Sequence, residues 1–181
     1  MRIKQDHRLA RVRYRSSPNF DERPDADDIS LIVIHGISLP PGEFGGGHIE
    51  ALFLNEFEHP VLDELRDFCV SPHLLIERNG TCNQFVAFDK RAWHAGLSSW
   101  RGRCHCNDYS IGIELEGTDS HPYTRAQYRK LGAVIQALLA RYPRLAPDAV
   151  VGHLEVAPGR KTDPGPAFDW PSLLKDLAFV V

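Results

Sequence analysis

Two short apolar runs each end in a histidine: Ile29-Ser30-Leu31-Ile32-Val33-Ile34 before His35-Gly36, and Val150-Val151-Gly152 before His153. The first is too short for a typical helix, β-branched and continuous rather than alternating, so it reads as a buried strand. A buried strand needs other layers around it, and the intervening chain holds helical patterns, so the chain is expected to be α/β. Strand ends followed by loops are where α/β folds place ligands, which makes His35 and His153 the first hint of a site.

Ser110-Ile111-Gly112-Ile113-Glu114-Leu115-Glu116 alternates and predicts a further strand. Ile111, Ile113 and Leu115 share one face, while Gly112, Glu114 and Glu116 share the other, an acidic face expected to be open beside Gly112. Leu74–Arg78 and Thr81–Val86 flank Asn79-Gly80, which predicts a hairpin with a type I′ turn. The clearest helix starts at Thr124, with Gln127 three residues on as a capping box and an apolar stripe from Tyr128 to Tyr142. Helical spacing also covers Ile49–Phe57 and Pro60–Phe68, and Asp169 is placed to cap a last helix through Leu177. Residues 1–28 are polar and rich in Arg, Asp and Pro, an expected irregular lead-in. There is no internal repeat, low-complexity tract or linker. The reading is one α/β domain over 1–181, a central sheet with strands and helices interspersed.

Of 181 residues, 43% are hydrophobic and 25% charged, which excludes a disordered chain. A formal charge of −3 gives no bulk attraction to nucleic acid or an anionic membrane. No apolar run approaches the roughly 20 residues of a membrane-spanning helix. The charged start, Met1 to Arg8, does not resemble a signal peptide, so a cytoplasmic protein is expected. The four cysteines (69, 82, 104 and 106) lack the spacing of a disulfide framework and are expected to be reduced thiols. Cys104-His105-Cys106 looks like a metal knuckle, but no second cysteine pair completes it.

Beyond His153, the proline- and glycine-restricted stretch Gly159–Pro166 carries Lys161 and Asp163. Two histidines and one carboxylate can bind zinc and leave a fourth position for water; hydrogen-bonded structural histidines are the other reading. Trp93-His94 reads as a cleft wall or as an aromatic-anchored loop, and Glu114 as a site carboxylate or a solvent-facing strand residue. Gly45-Gly46-Gly47 lacks the Gly-Lys-Ser/Thr of a phosphate cradle. Such groups together would suit metal-assisted hydrolysis, but their convergence is not visible in the sequence.

Four longer stretches go further: His35 to Gly46, Phe88 to Gly96, Asn107 to Asp119 and Arg160 to Trp170. In that order, and over most of the chain from about Ser17 to Leu177, they resemble zinc-dependent N-acetylmuramoyl-L-alanine amidases of the type 2 amidase and peptidoglycan-recognition-protein superfamily. The resemblance is strongest to its cytoplasmic branch acting on 1,6-anhydro-muropeptides, and it leaves 1–16 as lead-in. It implies a mixed sheet flanked by helices, one Zn2+ per chain on His35, His153 and Asp163, and Glu114 and Lys161 as the catalytic pair. It also implies a muropeptide substrate held near Gly36, Trp93, His94, His105 and Asn107, in a monomer. The implied reaction cleaves the amide between the lactyl group of anhydro-muramic acid and the stem peptide's L-alanine, in cell-wall recycling. A non-catalytic peptidoglycan-binding module and a broader cell-wall amidase are the rivals, and the intact ligand set favours the enzyme. His48, His59, His73 and His121 are expected to lie outside the metal shell. The chain departs from the family pattern at Gly36, where relatives have Asn, and at Cys69 and His105, where relatives carry arginines that help hold the substrate.

Overall fold

The computed structural model describes residues 1–60 and 62–178, with side chains described through Lys175. In chain order the strands and helices are β1 (Arg13–Tyr14), β2 (Phe20–Glu22), β3 (Leu31–Ile37), α1 (His48–Phe53), β4 (Leu74–Ile76), β5 (Cys82–Gln84) and β6 (Lys90–Ala92). There follow β7 (Ser99–Trp100), β8 (Arg103–Cys104), β9 (Ser110–Glu116), α2 (Arg125–Arg141), β10 (Val150–Gly152), α3 (His153–Val156) and α4 (Trp170–Ala178). Six strands form the central sheet in the order β1-β5-β4-β9-β3-β10. The strands β4, β9, β3 and β10 are mutually parallel, and β5 pairs antiparallel to β4, so the sheet is mixed as expected.

Alternation along the strands sorts the core into layers. Ile32, Ile34, Ile111, Ile113 and Leu115 pack with Leu131, Ile135 and Leu138 of α2. Leu31 and Val33 point the other way, against Ala95, Tyr109 and Val156. Both faces of β3 are therefore covered, which is why its apolar run is continuous. The register sets His35 directly opposite Glu114.

The capping box forms: Thr124 Oγ1 accepts from the Gln127 amide at 3.1 Å, and Gln127 Oε1 accepts from the Thr124 amide at 3.0 Å. Gln127 is fully buried, and its Nε2 also donates to the carbonyls of Glu116 at 2.8 Å and Ile76 at 3.2 Å. It thus ties the start of α2 to two strand ends. Gln127→Leu removes these bonds and leaves buried acceptors unmatched, so a loss of about 1–3 kcal/mol is expected. Urea unfolding would check it, with the midpoint falling at unchanged slope.

Four local expectations change. Helix α1 stops at Phe53 rather than Phe57, because Asn55 turns left-handed (φ 57). The amides of Asn55 and Glu56 then bond back to Leu52 and Ala51, a Schellman-type end. The expected helix over 60–68 is only a short 3₁₀ turn at Asp63–Leu65, and Val61 lies outside the described residues. Leu62 and Leu65 are three apart, a spacing that a 3₁₀ turn of three residues per turn satisfies. The hairpin exists, but its loop is Arg78-Asn79-Gly80 with only Gly80 at positive φ (84), a type I turn with a glycine bulge rather than type I′. Finally, the lead-in is not all irregular: β1 pairs with β5, and Leu9 is buried with its amide on Gln84 Oε1 at 2.8 Å. A short arginine-bearing strand is tolerated there because it is the sheet edge.

Asp169 caps the last helix as expected, its Oδ1 accepting from the Ser172 amide at 3.0 Å. All four cysteines are unpaired, Cys82 and Cys106 buried and Cys69 and Cys104 exposed. Among the described residues no helix is long and apolar enough to cross a membrane.

Candidate active site

Because β3, β9 and β10 run parallel, His35, Glu114 and His153 come together toward the same strand ends. Asp163 reaches them from the loop after α3, which the Leu154 amide holds by a 3.0 Å bond to the Asp163 carbonyl. The Nδ1 atoms of His35 and His153 are 2.9 Å apart, and Asp163 Oδ2 lies 3.3 Å from the first and 3.1 Å from the second. Among the described residues these three form the group able to hold a metal ion. Donors bonded tetrahedrally at about 2.0–2.1 Å stand roughly 3.3 Å from one another, so the triad fits zinc with little movement. Two neutral imidazoles and one carboxylate are also a zinc donor set, and Cys104-His105-Cys106 does not converge into a rival.

The three line a cavity of about 230 Å³ together with Gly36, Trp93, His94, Glu114 and Lys161. Its remaining wall is Ser71 with the apolar Ile37, Phe53, Phe68 and Val70. Glu114 Oε1 is 3.9 Å from His35 Nδ1, while Oε2 is buried with no hydrogen-bond partner among the described residues. Burial first, then the neighbouring Asp163 charge, pushes the Glu114 carboxyl well above its usual range, opposed by Lys161. Burial would raise Asp163 too, but the ring nitrogens of His153 and His35 beside it outweigh burial and hold that carboxyl well below its usual range. Burial lowers His35 to about 4, so it stays neutral and keeps a lone pair for a metal. The two carboxylates are thus driven apart, one ready to ligate and one ready to exchange a proton.

The other expected residues separate. Gly36 donates its amide to Asp163 Oδ2 at 3.4 Å, and a Cβ there would lie 2.3 Å from the Tyr123 hydroxyl. His94 is packed against His35, with 2.9 Å between its Nδ1 and His35 Nε2. The β9 face expected to be open beside Gly112 is covered by this ring, since a Cβ on Gly112 would fall 2.4 Å from His94 Cγ. Asn107 Oδ1 accepts from the amides of His94 at 3.2 Å and Ala95 at 2.8 Å, so its oxygen serves the backbone. His105 is exposed in a left-handed conformation and lines a neighbouring cavity with Leu97, Cys104 and Arg160. His73 sits behind the site, accepting at Nδ1 from the Gly112 amide. Sequence reasoning missed Phe68, 53% exposed at the cavity wall, whose only signal was an aromatic in a polar stretch. It also missed Arg23, buried and donating to the carbonyls of Phe88, Asn107, Asp108 and Ser110. A buried guanidinium satisfied by carbonyls leaves no pattern in a sequence.

A two-histidine, one-carboxylate donor set at the strand ends of a mixed sheet, with a buried carboxyl of raised pKa beside it, suits metal-assisted hydrolysis. A family model described as N-acetylmuramoyl-L-alanine amidase matches residues 25–166. The chain belongs to that family. It is 56% identical over 166 residues to the 1,6-anhydro-N-acetylmuramyl-L-alanine amidase AmpD of Salmonella typhimurium, covering 90% of this chain and 88% of that protein. The crystal structure of a Se-Met AmpD derivative superposes with a TM-score of 0.92 at 52% identity, covering 96% of this chain and 98% of that one. The E. coli amidase AmiD, solved with anhydro-N-acetylmuramic acid-L-Ala-D-γ-Glu-L-Lys, superposes at 0.62 with 32% identity, covering 93% of this chain and 60% of that one.

Proposed function

We propose that this chain is a zinc amidase that cleaves the bond between the lactyl group of 1,6-anhydro-N-acetylmuramic acid and the L-alanine of its stem peptide. The observation that carries it is the meeting of the His35, His153 and Asp163 donors beside the buried, unpartnered Oε2 of Glu114. The high identity to AmpD supports the choice of substrate. Zinc on the triad would polarise the amide carbonyl and make water a stronger acid. Glu114 takes a proton from the attacking water and hands it to the departing alanine nitrogen; its raised carboxyl makes it a better base for the first step. Lys161, at the cavity wall two residues before Asp163, puts its ammonium where negative charge grows on the carbonyl oxygen. Trp93 and Phe68 offer apolar surface to the sugar ring.

The same reading puts the protein in the cytoplasm as a monomer acting in cell-wall recycling, where four unpaired thiols suit a reducing compartment. Zinc analysis paired with mass spectrometry of an anhydro-muramyl-tripeptide digest tests it. One zinc per chain and release of the intact tripeptide are expected; bound zinc with uncleaved substrate would make the chain a binding module instead.

Cys69 and His105 bear on selectivity. A guanidinium grips a carboxylate through two charge-assisted bonds, which a thiol cannot do and an imidazole does through one. Nearby Arg160 is engaged with the Ala95 and Leu97 carbonyls. Stems of one to four residues are therefore expected to be cleaved with kcat/KM within about tenfold of one another, roughly 1.4 kcal/mol. A hundredfold rise with stem length would mean that other groups read the stem.

A further inference from the structure

We infer that the two-residue segment His94-Ala95, pinned by Asn107, is the device that sets both histidines of the triad in the ring tautomer a metal needs. The inference rests on the zinc reading above. His153 Nε2 lies 3.3 Å from the Ala95 carbonyl oxygen, which can only accept. His153 therefore carries its proton on Nε2 and turns a lone pair on Nδ1 toward Asp163 and His35. His35 needs the same arrangement, because its Nδ1 is the atom facing His153 and Asp163. Its proton then sits on Nε2 and must be donated to His94 Nδ1, 2.9 Å away. His94 in turn carries its proton on Nε2, which is 3.1 Å from Ser110 Oγ and donates there. One residue thus accepts through its ring and the next through its carbonyl, one for each metal-facing histidine.

The segment is held so that it can do this. Asn107 Oδ1 takes the amide protons of both residues, at 3.2 and 2.8 Å, which stops the segment from rotating. Gly112 leaves the space the His94 ring fills; a methyl there would sit 2.4 Å from His94 Cγ. Outer partners of metal-bound histidines fix tautomer and orientation, and their loss typically costs 10–100-fold in metal affinity. Accepting partners are usually carboxylates, carbonyls or water. An imidazole in that role adds no negative charge to the site, so His94 is a positioning residue that orients His35 without weakening the electrophilicity of the ion.

The test is zinc affinity, measured by competition with a chromogenic chelator, together with histidine ring 15N spectra of the zinc-loaded protein. His94→Leu and Asn107→Ala are expected to weaken zinc binding by about 10–100-fold. The metal-free His94→Leu protein should melt near wild type and the Asn107→Ala protein lower, because the His94 and Ala95 amides lose their acceptor. His94→Asn presents Oδ1 where Nδ1 stood, can accept the same bond, and should fall closer to wild type than to His94→Leu. The wild-type spectra should show protons on Nε2 of His35, His94 and His153. A proton on Nδ1 of His94, or His94→Leu binding zinc as tightly as wild type, overturns the inference. Should His94→Leu not fold, His94→Asn and the wild-type spectra decide. Wild-type protein that binds no zinc would instead remove the zinc reading itself.

Discussion

Glu114→Ala should keep one zinc per chain and lose about 10²–10⁴-fold in kcat, the usual worth of general acid–base catalysis. The carboxyl is 3.9 Å from a triad nitrogen at Oε1, so its removal spares the three closest donors. Its Oε2 has no partner among the described residues and is buried at the cavity. An unpaired buried carboxyl oxygen is unfavourable for folding, and its removal should leave stability level or slightly raised. That combination, a large kinetic loss without a stability loss, separates a catalytic role from a structural one. Glu114→Gln keeps the shape and removes the proton exchange, so it should be nearly as slow. A Glu114→Gln protein turning over at near-normal rate would exclude Glu114 as the proton carrier.

Lys161→Ala should also keep zinc and lose about 10²–10³-fold in kcat, with little change in KM. The expected split follows from charge: the substrate carbonyl is neutral, and the oxygen becomes anionic only on the way to the tetrahedral intermediate. Lys161 is exposed at the rim and close enough to lower the Glu114 carboxyl. Its loss should therefore raise that carboxyl further and move the acid limb of the pH–rate profile to higher pH, since Glu114 must be ionised to accept a proton. A raised KM at unchanged kcat would reassign Lys161 to ground-state binding.

Much of the frame was legible because it depends on neighbours in sequence. Thr124 and Gln127 are three apart in any environment, so the start of α2 could be read from them. Ser110–Glu116 alternates because a strand alternates, which put Glu114 on the face opposite Ile113 before any fold was known. Two of the misread pieces were ones where a distant contact overrode a local pattern. Asn19 Nδ2 bonds Asn55 Oδ1 at 2.7 Å beyond the left-handed end of α1, and β5 recruits Arg13 and Tyr14 from a stretch with no strand signature of its own.

By itself, then, the sequence determined the α/β class, the strand carrying Glu114 and the candidate donors, two of them at strand ends and the third in a restrained loop. The family resemblance joined those donors into one set. Tertiary structure decided which atoms meet: the β3–β9 register sets His35 opposite Glu114, and the loop after α3 returns Asp163 to both histidines. It also decided that His94 packs behind His35 and that Asn107 holds the His94-Ala95 segment, while His105 lines the next cavity. The physical reason is range. Propensity, capping and alternation act within a few residues and leave a pattern in the chain, whereas the pairing of His35 with partners 59, 118 and 128 positions away exists only once the sheet has closed.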